Sequence, residues 1–363
     1  MKRIFFASLL TVLAFGQTKD ARVQIALLLD TSNSMDGLIH QAKTQLWTIV
    51  NDLATARRHG VAPTLEVALF EYGNSGLSSQ QGYVRQVLAL TTDLDRVSEA
   101  LHQLSTNGGE EYCGVVIADA VQKLAWSTQP GSYKAIFIAG NEPFNQGSYD
   151  FRAACKASIA KGIVVNTIHC GPFQEGVQGF WKEGADLADG QYACIDQDRT
   201  DVAIATPFDD RILQLNTELN QTYLAYGAAG EASQKRQRAQ DRTAAAEAPA
   251  AAVQRSVSKA TSLYKNEDWD LVDAVASGDV EVETMEEEAL PEPLQGLSAE
   301  ERKAAVDKAS ADRTRIQAEL AEVAKQREAF IKQNQPEVTD SLEAKLREAI
   351  RQQLRTKQYQ FNQ

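Results

Sequence analysis

Eight residues near the start of the chain, Val23–Asp30 (VQIALLLD), constrain the fold more than any other stretch. The run is almost continuously apolar and ends in a carboxylate. A strand with one wet face alternates apolar and polar residues. A run like this one needs cover on both faces, as in the interior of a parallel sheet flanked by helices. The same logic continues to about Gly227. A helical stretch carries Leu38, Leu46, Ile49 and Leu53 near helical spacing. LEVALFEYG (Leu65–Gly73) and YVRQVLAL (Tyr83–Leu90) read as two strands of a hairpin across NSGLSSQQG. Helices are predicted over Asp93–Leu104 and Cys113–Trp126, then the strand KAIFIAG (Lys134–Gly140). The helix FRAACKASIAKG, the strand VVNTIHC (Val164–Cys170), a helix around Phe180–Leu187, the strand GQYACID (Gly190–Asp196) and the helix DDRILQLNTELNQTYL complete the series.

Strand–helix repetition of this kind implies an α/β fold: a doubly wound, mostly parallel sheet with helices on both faces. Ligands of such sheets bind outside the carboxyl ends of the strands. At that edge, directly after the first strand, stand Asp30-Thr31-Ser32-Asn33-Ser34. A carboxylate and two hydroxyls at i, i+2 and i+4 leave the sheet together. An all-oxygen set suits a hard cation such as Mg2+, Mn2+ or Ca2+ and not zinc. Asp and Ser are also common helix caps. The position after a buried first strand, more than the string itself, gives the motif its specificity.

On these residues the stretch from Arg22 to Gly227 resembles the von Willebrand factor type A (VWA) domain. That family's metal-ion-dependent adhesion site begins with Asp-x-Ser-x-Ser on the loop after the first strand. The order of elements, the VALFEYG region and the closing helix LNTELNQTYL carry the resemblance further; the C-terminal third is not covered. The resemblance implies a Rossmann-like sheet and a divalent cation, Mg2+ or else Mn2+ or Ca2+, with one coordination position left for a partner's carboxylate. It maps Asp30, Ser32 and Ser34 onto the first three ligand positions. The other two depart from the pattern. Where the family places a Thr after a Gly-Gly turn, Gly108-Gly109 is followed by Glu110-Glu111; where it places Asp-Gly after the fourth buried strand, this chain has Gly140-Asn141-Glu142. Glu110 then takes the Thr position, with Thr106 as an alternative hydroxyl, and Glu111, Asn141 and Glu142 stand as outer or alternative ligands. Asp30 and Glu110 together keep the family's two carboxylates, although a directly bound Glu110 would occupy the partner's place.

The first residues, MKRIFFASLLTVLAFG, pair two early cations with an apolar run from Ile4 to Phe15, the layout of an export signal ending at residue 16. The run is too short to span a bilayer comfortably, so no transmembrane segment is expected in the mature chain. Export to the periplasm or cell surface makes disulfides the expected state of Cys113, Cys155, Cys170 and Cys194; their pairing is open. With 37 Lys+Arg against 49 Asp+Glu, the net charge of −12 tells against nucleic acid, which needs a basic footprint.

Past Gly227 the composition shifts. The VWA domain is expected over 22–228. Residues 229–262 lack large apolar side chains and read as a linker, in part helical. Residues 263–296 hold a short helix around Trp269 and an acidic, Pro-containing segment. Residues 297–363 form helices of coiled-coil character, opened by Ser298 and Glu301 as a capping box and broken at Pro336. Arg313 and Arg327 fall on the apolar stripe of the first of these, so the seam is weak and a helical hairpin fits as well; self-association through these helices is a further expectation. The four histidines show no paired metal-ligand spacing, and neither a GxSxG elbow nor a phosphate loop follows a strand. The chain reads as an exported protein-binding module of adhesion or scaffold type with no catalytic role. The alternative is a structural envelope protein with a vestigial metal site that assembles through its C-terminal helices.

Overall fold

The computed structural model describes residues 21–195, 205–334 and 342–361. The expected export signal, Asp196 and Pro336 lie outside the described residues. In chain order the elements are β1 (Arg22–Asp30), α1 (Asp36–Ala54), β2 (Ala56–Arg58), β3 (Thr64–Tyr72), β4 (Val84–Thr91), α2 (Leu94–His102), α3 (Cys113–Lys123), β5 (Tyr133–Gly140), α4 (Phe151–Ala160) and β6 (Val164–Cys170). There follow α5 (Phe173–Gln178), α6 (Trp181–Asp186), β7 (Tyr192–Ile195), α7 (Asp209–Asn220), α8 (Gly227–Glu247), α9 (Pro249–Ser258), α10 (Leu271–Ser277), α11 (Ala299–Asn334), α12 (Leu342–Thr356) and β8 (Tyr359–Phe361).

Six strands form one sheet in the order β4-β3-β1-β5-β6-β7, parallel throughout except for β4, the hairpin partner of β3. The apolar run of β1 is covered on both faces. Val23, Ile25 and Leu29 enter a core built with α1, α2 and α7, while Ala26 and Leu28 enter a second core with α3, α4 and Trp181. The strand order reverses between β1 and β5, which opens a crevice at the carboxyl ends of these two strands. This is the doubly wound sheet that the resemblance to the type A fold implied, followed by the helical C-terminal extension that the apolar spacing past residue 297 predicted.

The expected disulfides are not present: all four cysteines are free. Cys170 is in register with Ile195 and shares its core, whereas Cys194 is in register with His169. Alternation therefore sends the thiols of Cys170 and Cys194 to opposite faces of the sheet. Cys113 and Cys155 sit in the α3–α4 core, where the Cys113 thiol lies 3.8 Å from the Tyr72 hydroxyl.

Residues 229–262, expected as a linker, form α8 and α9 and pack on α2, α1 and α7. Ala244, Ala251 and Ala252 are buried, and small side chains let these helices approach closely. Buried ions replace the missing large apolar residues. The Arg255 guanidinium, 1% exposed, donates to Asp95 at 2.7 Å and Asp241 at 2.6 Å, and lies over the Trp47 ring at 4.7 Å. Lys259 is fully buried with Nζ 2.9 Å from Asp241. Burial pulls the Lys259 ammonium down to about 8, against the pull of Asp241.

The long helix α11 also packs on its own chain. Ile316 and Leu320 enter the α1-side core, and Val306 joins a small third core with Leu271, Val282 and Leu294. The two arginines on its apolar stripe find partners there. Arg313 donates to Asp270 and Asp273 at 2.5 Å each, and Arg327 to Asp209 at 2.7 Å. The capping box forms as expected, Ser298 N–H donating to Glu301 and Glu301 N–H to the Ser298 hydroxyl. No helix among the described residues is long and apolar enough to cross a membrane.

Candidate metal and partner site

The crevice between β1 and β5 is built around Asp30, the last residue of β1, which has no exposed surface. The loop that follows is held down by its backbone: Thr31 N–H donates to Tyr72 O at 2.8 Å and Asn107 N–H to Thr31 O at 2.9 Å. Met35, fully buried, anchors the turn that leads into α1. Asp30 Oδ1 accepts the Ser32 N–H at 2.8 Å. Its other oxygen, Oδ2, is buried with no hydrogen-bond partner, as are Ser32 Oγ and Asn141 Oδ1. Ser34 is exposed, and its hydroxyl accepts from Asn141 Nδ2 at 3.2 Å, joining the loop after β1 to the loop after β5. Burial raises the Asp30 carboxyl to about 6; the Ser32 amide opposes the shift and the Glu142 charge adds to it.

Glycines make the room. Gly140 ends β5 at the place where the family carries an Asp, and its Cα lies directly against Asp30 and the Tyr72 hydroxyl. Gly73, at φ +80°, lies between Asp30 and Glu111: a Cβ there would meet Asp30 Oδ1 at 2.7 Å and Glu111 Cγ at 2.9 Å. Gly109 packs flat on the Gly73 backbone, and Ser75 N–H donates to Gly108 O at 2.6 Å.

That flat contact sets the phase of the second loop. Glu110, mapped onto the Thr ligand position, is exposed; Glu111, expected as an alternative, is the residue turned inward and is 7% exposed. The reason is local. The Gly-Gly backbone is used to lie against Gly73–Ser75, so the chain turns in one residue later, just before α3. Burial, then the charges of Asp30 and Glu142, raise the Glu111 carboxyl to about 7. Thr106 does not reach toward Asp30: its hydroxyl donates to Asp36 at 2.5 Å. Gln146 ties the loops together, accepting from Glu111 N–H at 3.2 Å and donating to the Glu142 carboxylate at 3.2 Å.

Asp30, Glu111 and Glu142 thus share one region, and none is in an ion pair among the described residues. Asp30 Oδ2, and beside it Ser32 Oγ and Asn141 Oδ1, are buried without a hydrogen-bond partner. The residues present fit a hard cation: the donors are oxygens of carboxylate, hydroxyl and amide type, and the unpaired atoms turn to one crevice. No group of three or more His, Cys, Asp and Glu among the described residues, Asp30, Glu111 and Glu142 included, is gathered closely enough to hold a metal ion by itself, so hydroxyl and amide oxygens have to complete any set. An ion here would be held by Asp30, Ser32 and Ser34 with Asn141 or Glu111.

Two features escaped the sequence reading. Gln146 carries no recognisable motif. Tyr149 and Phe173, at 42% and 49%, are the large hydrophobic side chains exposed among the described residues, and both follow strands at this same edge. Aromatics in GSYDF and GPF, beyond the carboxyl ends of buried strands and outside any apolar stripe, are the signal that would have found them.

No family model matches the chain, and no curated protein does. Solved structures do. A conserved hypothetical protein, BatB, from Bacteroides thetaiotaomicron is 21% identical, with a TM-score of 0.37 over 48% of this chain and 90% of that one. The VWA domain of SpRpn10 is 16% identical, with a TM-score of 0.37 over 48% of this chain and 88% of that one. Proximal thread matrix protein 1 from the mussel byssus, with a zinc-occupied MIDAS motif, is 12% identical, with a TM-score of 0.37 over 50% of this chain and 44% of that one.

Proposed function

We propose that this chain is an exported binding protein whose type A domain holds a divalent cation, Mg2+, Mn2+ or Ca2+, at the β1–β5 crevice and uses it to recognise a partner protein. One observation carries the reading: Asp30 Oδ2, Ser32 Oγ and Asn141 Oδ1 are buried without partners beside carboxylates that have no cation of their own. A buried unpaired carboxylate is costly, and a bound ion removes that cost.

Asp30 supplies the fixed negative charge, held in place by the Ser32 amide. Ser32 and Ser34 contribute neutral oxygens, so the ion keeps net positive charge and attracts an acidic side chain from outside. Gly140 places no second carboxylate there. Glu111 is the chain's own competitor for the open position, and its raised carboxyl favours the protonated form that would release it. Tyr149 and Phe173 supply apolar contact around this polar centre, as aromatic anchors do at protein interfaces. The apolar start Ile4–Phe15 supports export to the periplasm or cell surface.

Capture from envelope extract, with the full chain as bait in Mn2+ or in EDTA, tests the partner. Bands retained only with the cation, lost with Asp30→Asn and reduced with Phe173→Ala, support the reading. Retention indifferent to the cation and to Asp30 contradicts it.

A further inference from the structure

We propose that the opposite edge of the sheet, at the amino ends of the parallel strands, is a docking face for an anionic phospholipid surface. This edge is closed by the chain's last strand: β8 pairs antiparallel with β2, and the Tyr359 hydroxyl donates to Arg22 O at 3.2 Å. Helix α12 runs beneath β5 and β6, with Gln353 bonded to the Tyr133 hydroxyl and to Asn166.

The edge gathers cations. Lys134 Nζ donates to Lys161 O at 2.5 Å, and Arg58 Nε to Lys357 O at 3.1 Å. Burial, and then the charges of Lys357 and Lys161, hold the Lys134 ammonium below the usual lysine range, which places the three within electrostatic reach of one another. Arg57 adjoins Arg58 on β2, and Arg355 is exposed on α12. None of these six is in an ion pair among the described residues. Lys161 Nζ donates to Val121 O at 3.0 Å; of the acids on the packed elements, Glu66 is paired with Arg22, Asp52 with Arg351 and Asp119 with Lys123, and Glu348 shares the α12 surface with Arg355. In a chain of net charge −12, with Asp30, Glu110, Glu111 and Glu142 at the other edge, this is a sharp reversal of sign.

One observation favours a lipid surface over other polyanions. Tyr149 and Phe173 both lie at the far edge, so this face has neither the aromatic anchors of a protein hot spot nor a stacking platform for single-stranded nucleic acid. Spread cations without such anchors suit a fluid anionic headgroup layer, which attracts each Lys or Arg near it and is screened by salt. The partner edge is then held away from the membrane.

Vesicle co-sedimentation tests this with residues 17–363, the chain the export signal would leave, in EDTA. Phosphatidylglycerol-containing vesicles should retain the protein at low salt and release it at high salt; pure phosphatidylcholine vesicles should not retain it. Lys161→Gln, Lys357→Gln and Arg355→Gln together should weaken retention by roughly a hundredfold, with Lys161→Gln alone intermediate and an unchanged melting curve in both. Asp30→Asn should retain normally, which separates this face from the cation site. Equal retention on both lipids, retention on neither, or unchanged retention by the triple variant overturns the proposal.

Discussion

Gly140 and Asp30 face each other so closely that a Cβ on the glycine would stand 2.9 Å from Asp30 Oδ2 and 2.5 Å from the Tyr72 hydroxyl. Parallel strands β1 and β5 end side by side here, and the space that one would give to a side chain the other's carboxylate already fills. The family's carboxylate at this position has no room in this chain. Gly140→Ala should therefore destabilise the domain by about 1–3 kcal/mol, the usual cost of overpacking, and weaken cation binding by displacing Asp30. Urea denaturation of the full chain measures the first effect. Unchanged stability would mean that Asp30 is free to move aside.

The Arg255 guanidinium, enclosed by Asp95, Asp241 and the Trp47 ring, ties α9 to α1, α2 and α8. Removing it leaves two buried carboxylates with too little positive charge. Arg255→Met should cost about 3–5 kcal/mol, as breaking a buried pair does. Exposed Arg315→Met on α11 should change stability by less than about 1 kcal/mol. A cost below 1 kcal/mol for Arg255→Met would show that the helices dock without the network.

Without metal, pH should act on the crevice in a defined sense. The Asp30 carboxyl is raised to about 6 and that of Glu111 to about 7, above the 3.8 and 4.5 usual for these side chains. Between those limits the folded chain binds more protons than the unfolded one, so this contribution to stability falls as pH rises from about 4 to 7. Melting curves in EDTA should show the decline, and Asp30→Asn with Glu111→Gln should flatten it. Saturating Mn2+ should oppose it, because an ion competes with those protons. A contribution that grows with pH in EDTA would contradict the assignment.

The thiols should behave as free and sheltered. Cys113, Cys155 and Cys170 are buried, and burial pushes the Cys155 thiol up to about 12. Cys194, half-buried, should react first with iodoacetamide and the others only on unfolding. Intact mass after alkylation in denaturant, without reductant, should show four modified thiols. A mass short of that by two or four carbamidomethyl groups would restore the disulfides expected of an exported chain.

Much of the sheet domain was legible because its signals are local. Val23–Leu29 is apolar on both faces, β3 and β4 are two β-rich runs joined across a Gly- and Ser-containing turn, and Asp30-Thr31-Ser32-Asn33-Ser34 sits where a doubly wound sheet opens. The phase of the Gly108–Glu111 turn was not legible: which glutamate turns inward depends on the Gly109 backbone lying against Gly73, a contact between residues distant in sequence. Residues 229–262 read as a linker because they lack large apolar residues. What buries them is alanine, and an arginine and a lysine whose partners Asp95 and Asp241 lie on other helices. Arg313 and Arg327 broke the seam of α11 for the same reason. The ribbon of β2 with β8 joins residues some three hundred positions apart, with no turn between them to announce it.

Whether the crevice takes an ion is most directly read by titrating Mn2+ into the metal-stripped full chain and following heat. One ion should bind per chain, and Asp30→Asn or Asn141→Ala should weaken it at least about tenfold with the fold intact by circular dichroism. No heat in the parent chain, or an affinity that Asp30→Asn leaves unchanged, would show that the unpartnered oxygens of Asp30, Ser32 and Asn141 do not hold a cation.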